Sequence, residues 1–230
     1  MENPFGKITT IASVLELFHD GMTLMFGGFG GVGSPPTIID GILEKGIREL
    51  TLIGNDTGFP HIGIGKLVSH ERAVKVIASH IGSNPLAGQL MHDGKLEVEF
   101  SPQGILAERI RAGGVGLAAV LSDIGMDNEM VSKDKPRFNL DGKDYLIESA
   151  LTAEVAIVYA KKADEFGNLI YDKSARNTNP LVAMAGNITI AEVEEIVPIG
   201  SLNPEEIITP GVFVDYLIPS KGVNWKWAWE

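Results

Sequence analysis

Residues 20–36 read Asp-Gly-Met-Thr-Leu-Met-Phe-Gly-Gly-Phe-Gly-Gly-Val-Gly-Ser-Pro-Pro, a short apolar run that ends in a glycine-dense loop. Five of the seven residues 27–33 are glycine, and Ser34-Pro35-Pro36 follows at once. Residues 23–26 predict a strand and residues 37–45 a helix, with Gly46 as its stop. Backbone in such a loop can approach a ligand with no Cβ in the way, and positive φ carries no penalty. The first amides of the helix lack intrahelical partners, so they favour an anion such as phosphate, carboxylate or a developing oxyanion.

Working outward, residues 8–19 predict an amphipathic helix with Thr10 as its N-cap. Strands follow at 50–54, 73–79 and 96–100, and a helix at 106–112 that ends at Gly113-Gly114. Strands separated by helical segments imply parallel pairing through crossovers. The second half has more hairpin character: Asp141-Gly142 sits between alternating runs in 138–145, a type I′ turn signal. Residues 154–160 and 188–197 predict two more strands, Gly167-Asn168 a turn, and residues 126–136 a charged loop. No internal repeat or linker is apparent. The expected fold is one α/β domain over residues 1–230, an open, mostly parallel sheet flanked by helices, with some antiparallel hairpins in the second half.

Composition narrows the function. The 230 residues carry a formal net charge of -11, which disfavours nucleic acid and anionic membrane surfaces as partners. The absence of cysteine excludes disulfides, thiolate catalysis and Cys-ligated metals. The five histidines, His19, His61, His70, His80 and His92, are too scattered for a metal motif, so no metal is expected. No secretory signal and no membrane-spanning run is visible, and a cytoplasmic location is the default expectation.

Gly28-Phe29-Gly30-Gly31-Val32-Gly33 satisfies G-x-G-x-x-G after a strand and before a helix. A second strand then ends near Asp56, where a dinucleotide-binding fold places its ribose-binding acid. A dinucleotide-dependent oxidoreductase is therefore the alternative to weigh. Against it, two prolines stand where that fingerprint already has helix interior. Pro is tolerated in a first turn, so the helix starts later and the loop is longer and more open. The plainest alternative is a loop whose glycines merely permit tight packing.

Other blocks occur in order along the chain. They are Leu52-Ile53-Gly54-Asn55-Asp56-Thr57, residues 78–85 (Ala-Ser-His-Ile-Gly-Ser-Asn-Pro), Pro102-Gln103-Gly104 with residues 107–114, residues 174–180 (Ser-Ala-Arg-Asn-Thr-Asn-Pro), and Thr209-Pro210-Gly211. With Asp20-Gly21, Gly27-Gly28-Phe29 and Gly33-x-Pro35 they cover nearly the whole chain. Together they resemble the alpha subunits of family I CoA-transferases, most closely the acetate/acetoacetate and butyrate/acetoacetate enzymes. That resemblance implies the CoA-transferase fold (NagB/RpiA-like). It also implies transfer of CoA from an acyl-CoA to a free carboxylic acid through a glutamyl-CoA thioester, with CoA and acyl-CoA as substrates and no permanently bound cofactor.

The resemblance also implies that the chain is half of an enzyme. The family's nucleophilic glutamate lies in a Ser-Glu-Asn-Gly motif on the beta subunit, and this chain lacks that motif. Glu148-Ser149-Ala150 reverses the order, and Glu2-Asn3-Pro4 stands at the terminus. No catalytic residue is therefore assigned here, and a beta subunit in an α2β2 assembly is expected. By resemblance, Gly27, Gly28, Phe29, Gly30, Gly31, Val32 and Gly33 bind CoA. Asn84 and Gln103, polar residues after predicted strands, are candidate acyl or CoA contacts; local turn bonding is the bland reading for each. His80 and Ser174 with Asn177 are weaker candidates, and Arg176 has the better context for a carboxylate. Residues 126–136 depart from the family's Gly- and Thr-rich pattern. Trp225, Trp227 and Trp229 recur at period two and predict a strand face packed at a subunit interface, or one closing this chain's own core.

Overall fold

The computed structural model describes residues 3–223 and Trp225. The first half alternates regularly: α1 (Ile11–Leu15), β1 (Thr23–Phe26), α2 (Pro36–Lys45), β2 (Leu50–Ile53), α3 (Gly65–Ser69), β3 (Ala73–Ala78), α4 (Pro85–His92), β4 (Glu97–Phe100) and α5 (Gln103–Gly114). A second, antiparallel sheet follows, built from β5 (Ala119–Ser122), β6 (Arg137–Leu140) and β7 (Lys143–Ser149), with the short helix α6 (Glu129–Ser132) after β5. The chain then returns through β8 (Ala153–Asp164), β9 (Leu169–Ile170), α7 (Asn179–Ala185), β10 (Gly186–Val197) and β11 (Tyr216–Pro219).

The main sheet runs β11-β10-β8-β1-β2-β3-β4, all parallel, with β9 antiparallel to β8. β1 is central. Leu24 pairs with Leu52 of β2 on one side and Val155 of β8 on the other. From β1 the chain builds outward through β2, β3 and β4, and later builds the opposite way through β8, β10 and β11. The order therefore reverses at the β1–β8 boundary, where open α/β sheets form a crevice beyond their carboxyl ends.

Both faces are covered, so the strands read as nearly continuous apolar runs. Alternation still sorts them. Leu24, Phe26, Leu50 and Leu52 pack with Ile38, Ile39 and Ile42 of α2 and Leu67 of α3. Met25, Ile53 and Ile77 point the other way, toward Leu106 and Ile110 of α5 and Val182 of α7. Two apolar layers thus sandwich one sheet.

Several expectations change in extent. The helix expected over 8–19 is the short α1, capped by Thr10, whose side chain accepts from the Ser13 N–H. The charged segment 126–136 contains α6, capped by Asn128 through Met130 N. At Asp141-Gly142 both residues take positive φ, 52° and 81°, as a type I′ turn requires. Trp225 lies on its own chain, its ring edge-on to Tyr159 at 5.3 Å and its Nε1–H donating to Ser34 O. Trp227 and Trp229 lie outside the described residues.

Candidate functional site

The glycine loop leaves β1 at the crevice and is held from three sides. Its ends close on themselves: Phe29 N donates to Val32 O and Val32 N to Phe29 O. Gly27 N is taken by Ile157 O of β8, Gly28 N by Asn177 Oδ1, and Gly30 N by Asp56 Oδ2 at 2.8 Å. The expected row of free amides is therefore largely consumed within the chain. The glycines are required by close approach. A Cβ on Gly27 would stand 1.8 Å from Asn179 Oδ1, and one on Gly33, at φ 80°, 2.4 Å from Ala175 O. At this loop the surface is offered by Phe29, which is 44% exposed, and by Val32.

The start of α2 is also occupied. Glu192, wholly buried on β10, places Oε2 against the N–H groups of Thr37 (2.8 Å) and Ile38 (3.2 Å). Its Oε1 accepts from the hydroxyls of Thr37 and Ser220. Burial raises the Glu192 carboxyl above its ordinary value, with these four donors pulling the other way. A resident carboxylate thus fills the anion site that a dinucleotide pyrophosphate needs.

Asp56 is likewise spent. It is buried, accepting from Gly30 N and Asn55 Nδ2 on Oδ2 and from Gly58 N on Oδ1 at 2.7 Å. Buried and bonded inward, it is not presented to a ribose. Its two oxygens join two loops of one design, Gly28-Phe29-x-x-Val32-Gly33 and Gly58-Phe59-x-x-Ile62-Gly63. In the second, Ile62 N donates to Phe59 O, as Val32 N does to Phe29 O in the first. The loops touch: a Cβ on Gly31 would lie 2.6 Å from Ile62 Cγ2. This repeat, 30 residues apart, is written in the sequence as G-F-x-x-[V/I]-G, so short that it stands out as a repeat only once the fold brings the two loops together.

From Asp56 a polar chain crosses the carboxyl ends of β2, β3 and β4. Asn55, buried, accepts on Oδ1 from Gln103 Nε2 (3.0 Å) and Ser79 Oγ (3.1 Å). Ser79 Oγ lies 3.4 Å from His80 Nδ1, and the His80 ring stands 6.4 Å from that of Phe29. Gln103 is exposed and uses one amide hydrogen here, leaving its carbonyl and second N–H without a partner among the described residues. Asn84 is placed differently. It is wholly buried, its Nδ2 donating to Thr57 O, so it braces the second loop beneath the surface.

On the other flank, residues 173–179 carry the loop. Asn177 holds a rare backbone conformation, φ 23° and ψ -119°, from which Nδ2 donates to Val32 O. Asn179 Nδ2 donates to Gly33 O. A cavity of about 520 Å³ lies between Phe29, Val32, Lys173, Ser174, Arg176 and Asn177, with two cations and no acid on its rim. Among the described residues no cluster of three or more His, Asp or Glu could hold a metal, and no helix is long and apolar enough to cross a membrane.

A parallel sheet with a glycine-loop crevice at its switch point marks a ligand-binding α/β protein, and superposition shows the fold to be that of the CoA-transferases. The acyl-CoA transferase YdiF of Escherichia coli O157:H7, solved as a thioester complex with CoA, superposes with a TM-score of 0.84 at 22% identity, over 97% of this chain and 51% of that one. This chain thus spans about half of that polypeptide. It belongs to the Coenzyme A transferase family, whose model matches residues 8–220. It is 59% identical over 227 residues to the probable coenzyme A transferase subunit alpha of Bacillus subtilis (strain 168), covering 99% of both chains. It is 46% identical to the acetate CoA-transferase subunit alpha of Escherichia coli (strain K12), over 94% of this chain and 97% of that one. It is 44% identical to the acetoacetyl-CoA:acetate/butyrate CoA transferase alpha subunit of Clostridium acetobutylicum, over 93% and 97%. Nothing in the comparisons or in the occupied α2 terminus supports the oxidoreductase alternative.

Proposed function

We propose that this chain forms one wall of the active site of an enzyme that moves CoA between a short-chain acyl-CoA and acetoacetate, acetate or butyrate. On this reading a beta subunit bearing Ser-Glu-Asn-Gly completes the site in an α2β2 assembly. The observation that supports the reading is a prepared polar crevice whose buried acids, among the described residues, are bonded inward. Asp56 and Glu192 are the buried acids nearest the two loops and α2, and internal donors occupy both. On this reading the nucleophile comes from a second chain.

The chemistry balances across the two subunits. The partner's glutamate carboxylate attacks the thioester carbonyl, forming an acyl-glutamyl anhydride and expelling CoA thiolate. The thiolate attacks the glutamyl carbonyl, leaving glutamyl-CoA and releasing the first acid. The acceptor carboxylate reverses both steps and regenerates the glutamate. Gln103, oriented by Asn55, supplies an amide hydrogen toward the oxyanions that form. Phe29 and Val32 flank the CoA arm, and Lys173 and Arg176 place positive charge along its path. The fixed loops exclude water, to which both the anhydride and the thioester are vulnerable.

The test is reconstitution. The chain alone is expected to transfer no CoA, and the complex with its beta subunit to transfer it with ping-pong kinetics. Transfer by the isolated chain, or a complex inactive with every short acid, would overturn the proposal.

A further inference from the structure

Beyond β11 the C-terminal segment turns back across the start of α2. Ser220 N donates to Val193 O, and Ser220 Oγ donates to Glu192 Oε1 at 2.6 Å. Lys221 N donates to Thr37 Oγ1 at 3.0 Å. The segment is thus tied to Glu192 and Thr37, the pair that fixes the α2 N-terminus, and it brings Trp225 to the glycine loop. There Trp225 Nε1 donates to Ser34 O at 3.0 Å, and the indole stands edge-on to Tyr159. A Cβ on Gly31 would lie 3.5 Å from Trp225 Cβ, in ordinary contact.

Both seats of the indole belong to the frame of the loop. Ser34 is buried, and its Oγ would lie 2.2 Å from a Cβ on Gly28 and 3.0 Å from one on Gly63, so it stands where the two glycine loops meet. Tyr159 of β8 is buried and donates its N–H to Asn179 Oδ1, the atom that crowds Gly27. The four carbonyls from Gly31 to Ser34 all have donors. Gly31 O accepts from Ser34 N, Val32 O from Phe29 N and Asn177 Nδ2, Gly33 O from Asn179 Nδ2, and Ser34 O from Trp225 Nε1. The other donors lie in the loop itself or at residues 177–179; this one reaches it from 191 positions along the chain. A side chain that only filled space here would need no donor, and Leu or Phe would serve. A half-buried Trp whose single N–H is spent on the Ser34 carbonyl instead fixes the loop's exit into α2.

We propose that Trp225 is a positioning residue: it fastens the glycine loop from the C-terminal segment and thereby keeps water from the glutamyl-CoA thioester until an acceptor acid arrives. The inference rests on the CoA-transferase reading and deepens it. Where the loop yields, water attacks the thioester carbonyl, the C–S bond breaks, the glutamate carboxylate is restored and CoA leaves as the thiol. The first acid has already departed, so the net reaction is hydrolysis of acyl-CoA instead of transfer.

The experiment uses the reconstituted complex with acetoacetyl-CoA, below the melting transition of every variant compared. It measures free CoA released without an acceptor against acetyl-CoA formed with acetate. Trp225→Phe keeps a ring beside Tyr159 but has no donor for Ser34 O, and is expected to raise the hydrolysis-to-transfer ratio about fivefold, the equivalent of one neutral hydrogen bond. Trp225→Ala also loses the edge-to-face contact and is expected to raise it about twentyfold. A tail with a merely structural role would lower the melting temperature and leave the ratio where it was. Ratios at the wild-type value in both variants, with the wild-type complex active, would overturn the positioning role alone; if Trp225→Ala fails to assemble, Trp225→Phe decides it. A wild-type complex inactive with every acid would instead overturn the CoA-transferase reading beneath it.

Discussion

Replacing Asp56 by Asn tests whether the acid in the glycine-loop turn is a clamp. The carboxylate accepts three hydrogen bonds in a buried position, from Gly30 N, Gly58 N and Asn55 Nδ2. An amide cannot repeat this. With its NH₂ toward Gly58 it meets a donor, so the Gly58 N–H and the amide's own hydrogens go unpaired; flipped, it abandons both Gly30 and Asn55. The better orientation loses one charge-assisted bond and strands the groups on either side of it. At about 1.5–3 kcal/mol for the bond and 1–3 for the stranded group, overlapping in part, a net loss of about 2–4 kcal/mol follows. In a chain of this size that lowers the melting temperature by roughly 5–15 °C. Asp56→Ala strands all three donors and should fall further. Calorimetry of the purified complex gives the order wild type, Asn, Ala, and transfer assays below the transitions report whether the loops still hold their places. An Asp56→Asn complex that melts with the wild type would refute the clamp.

Three further outcomes are expected. Gln103→Ala should lower kcat by about 10²–10³, the usual consequence of deleting an oxyanion donor, with a smaller change in KM; a pure KM effect would assign it to binding instead. Burial pushes the Glu99 carboxyl up, but Arg109 at 2.8 Å and Lys75 at 3.4 Å more than reverse this, holding it below its ordinary 4.5. A depressed carboxyl stabilises the fold above 4.5 and ceases to as pH falls through its folded value. The stability gap between wild type and Glu99→Gln, read by urea denaturation, should therefore shrink on acidification, and a gap constant down to pH near 3 would contradict it. Ending the chain after Trp225, which keeps its contacts with Tyr159 and Ser34, should weaken association with the beta subunit; an unchanged elution volume on gel filtration would deny the tail that role.

The sheet was legible because both of its faces are buried at the centre, so β1, β2 and β3 stand out as apolar runs between polar punctuation, while the edge strand β4 shows as the alternation Glu-Val-Glu-Phe. The type I′ turn was legible because Asp-Gly satisfies a local backbone demand. Short elements escaped notice. α3 has five residues, α4 contains Gly88, and α7 carries Pro180 in its first turn; tertiary packing holds them more than propensity does. At the site, composition showed that glycines were needed but not why. The reasons are Asn179 against Gly27 and Ala175 against Gly33, contacts between residues about 140–150 apart in sequence that no local pattern encodes. The same holds for Glu192, whose carboxylate reaches α2 from β10.

These distant partners change the meaning of the glycine loop. A phosphate cradle needs open amides, whereas here Asn177 takes Gly28, Asp56 takes Gly30, and Glu192 takes the start of α2. Each of these bonds is buried or nearly so, where an unmade partner is costly, so the loop is fixed before any ligand arrives. What it presents is a rigid edge, the Phe29 ring beside His80, backed by the Asn55–Gln103 pair. In the proposed function such an edge orients a substrate without reacting with it. Catalysis by anhydride and thioester needs that order of construction, because a wall that moved would admit water to both intermediates. In the proposed division of the site, this chain supplies a preorganised surface whose buried acids Asp56 and Glu192 are bonded internally, and the partner supplies the carboxylate.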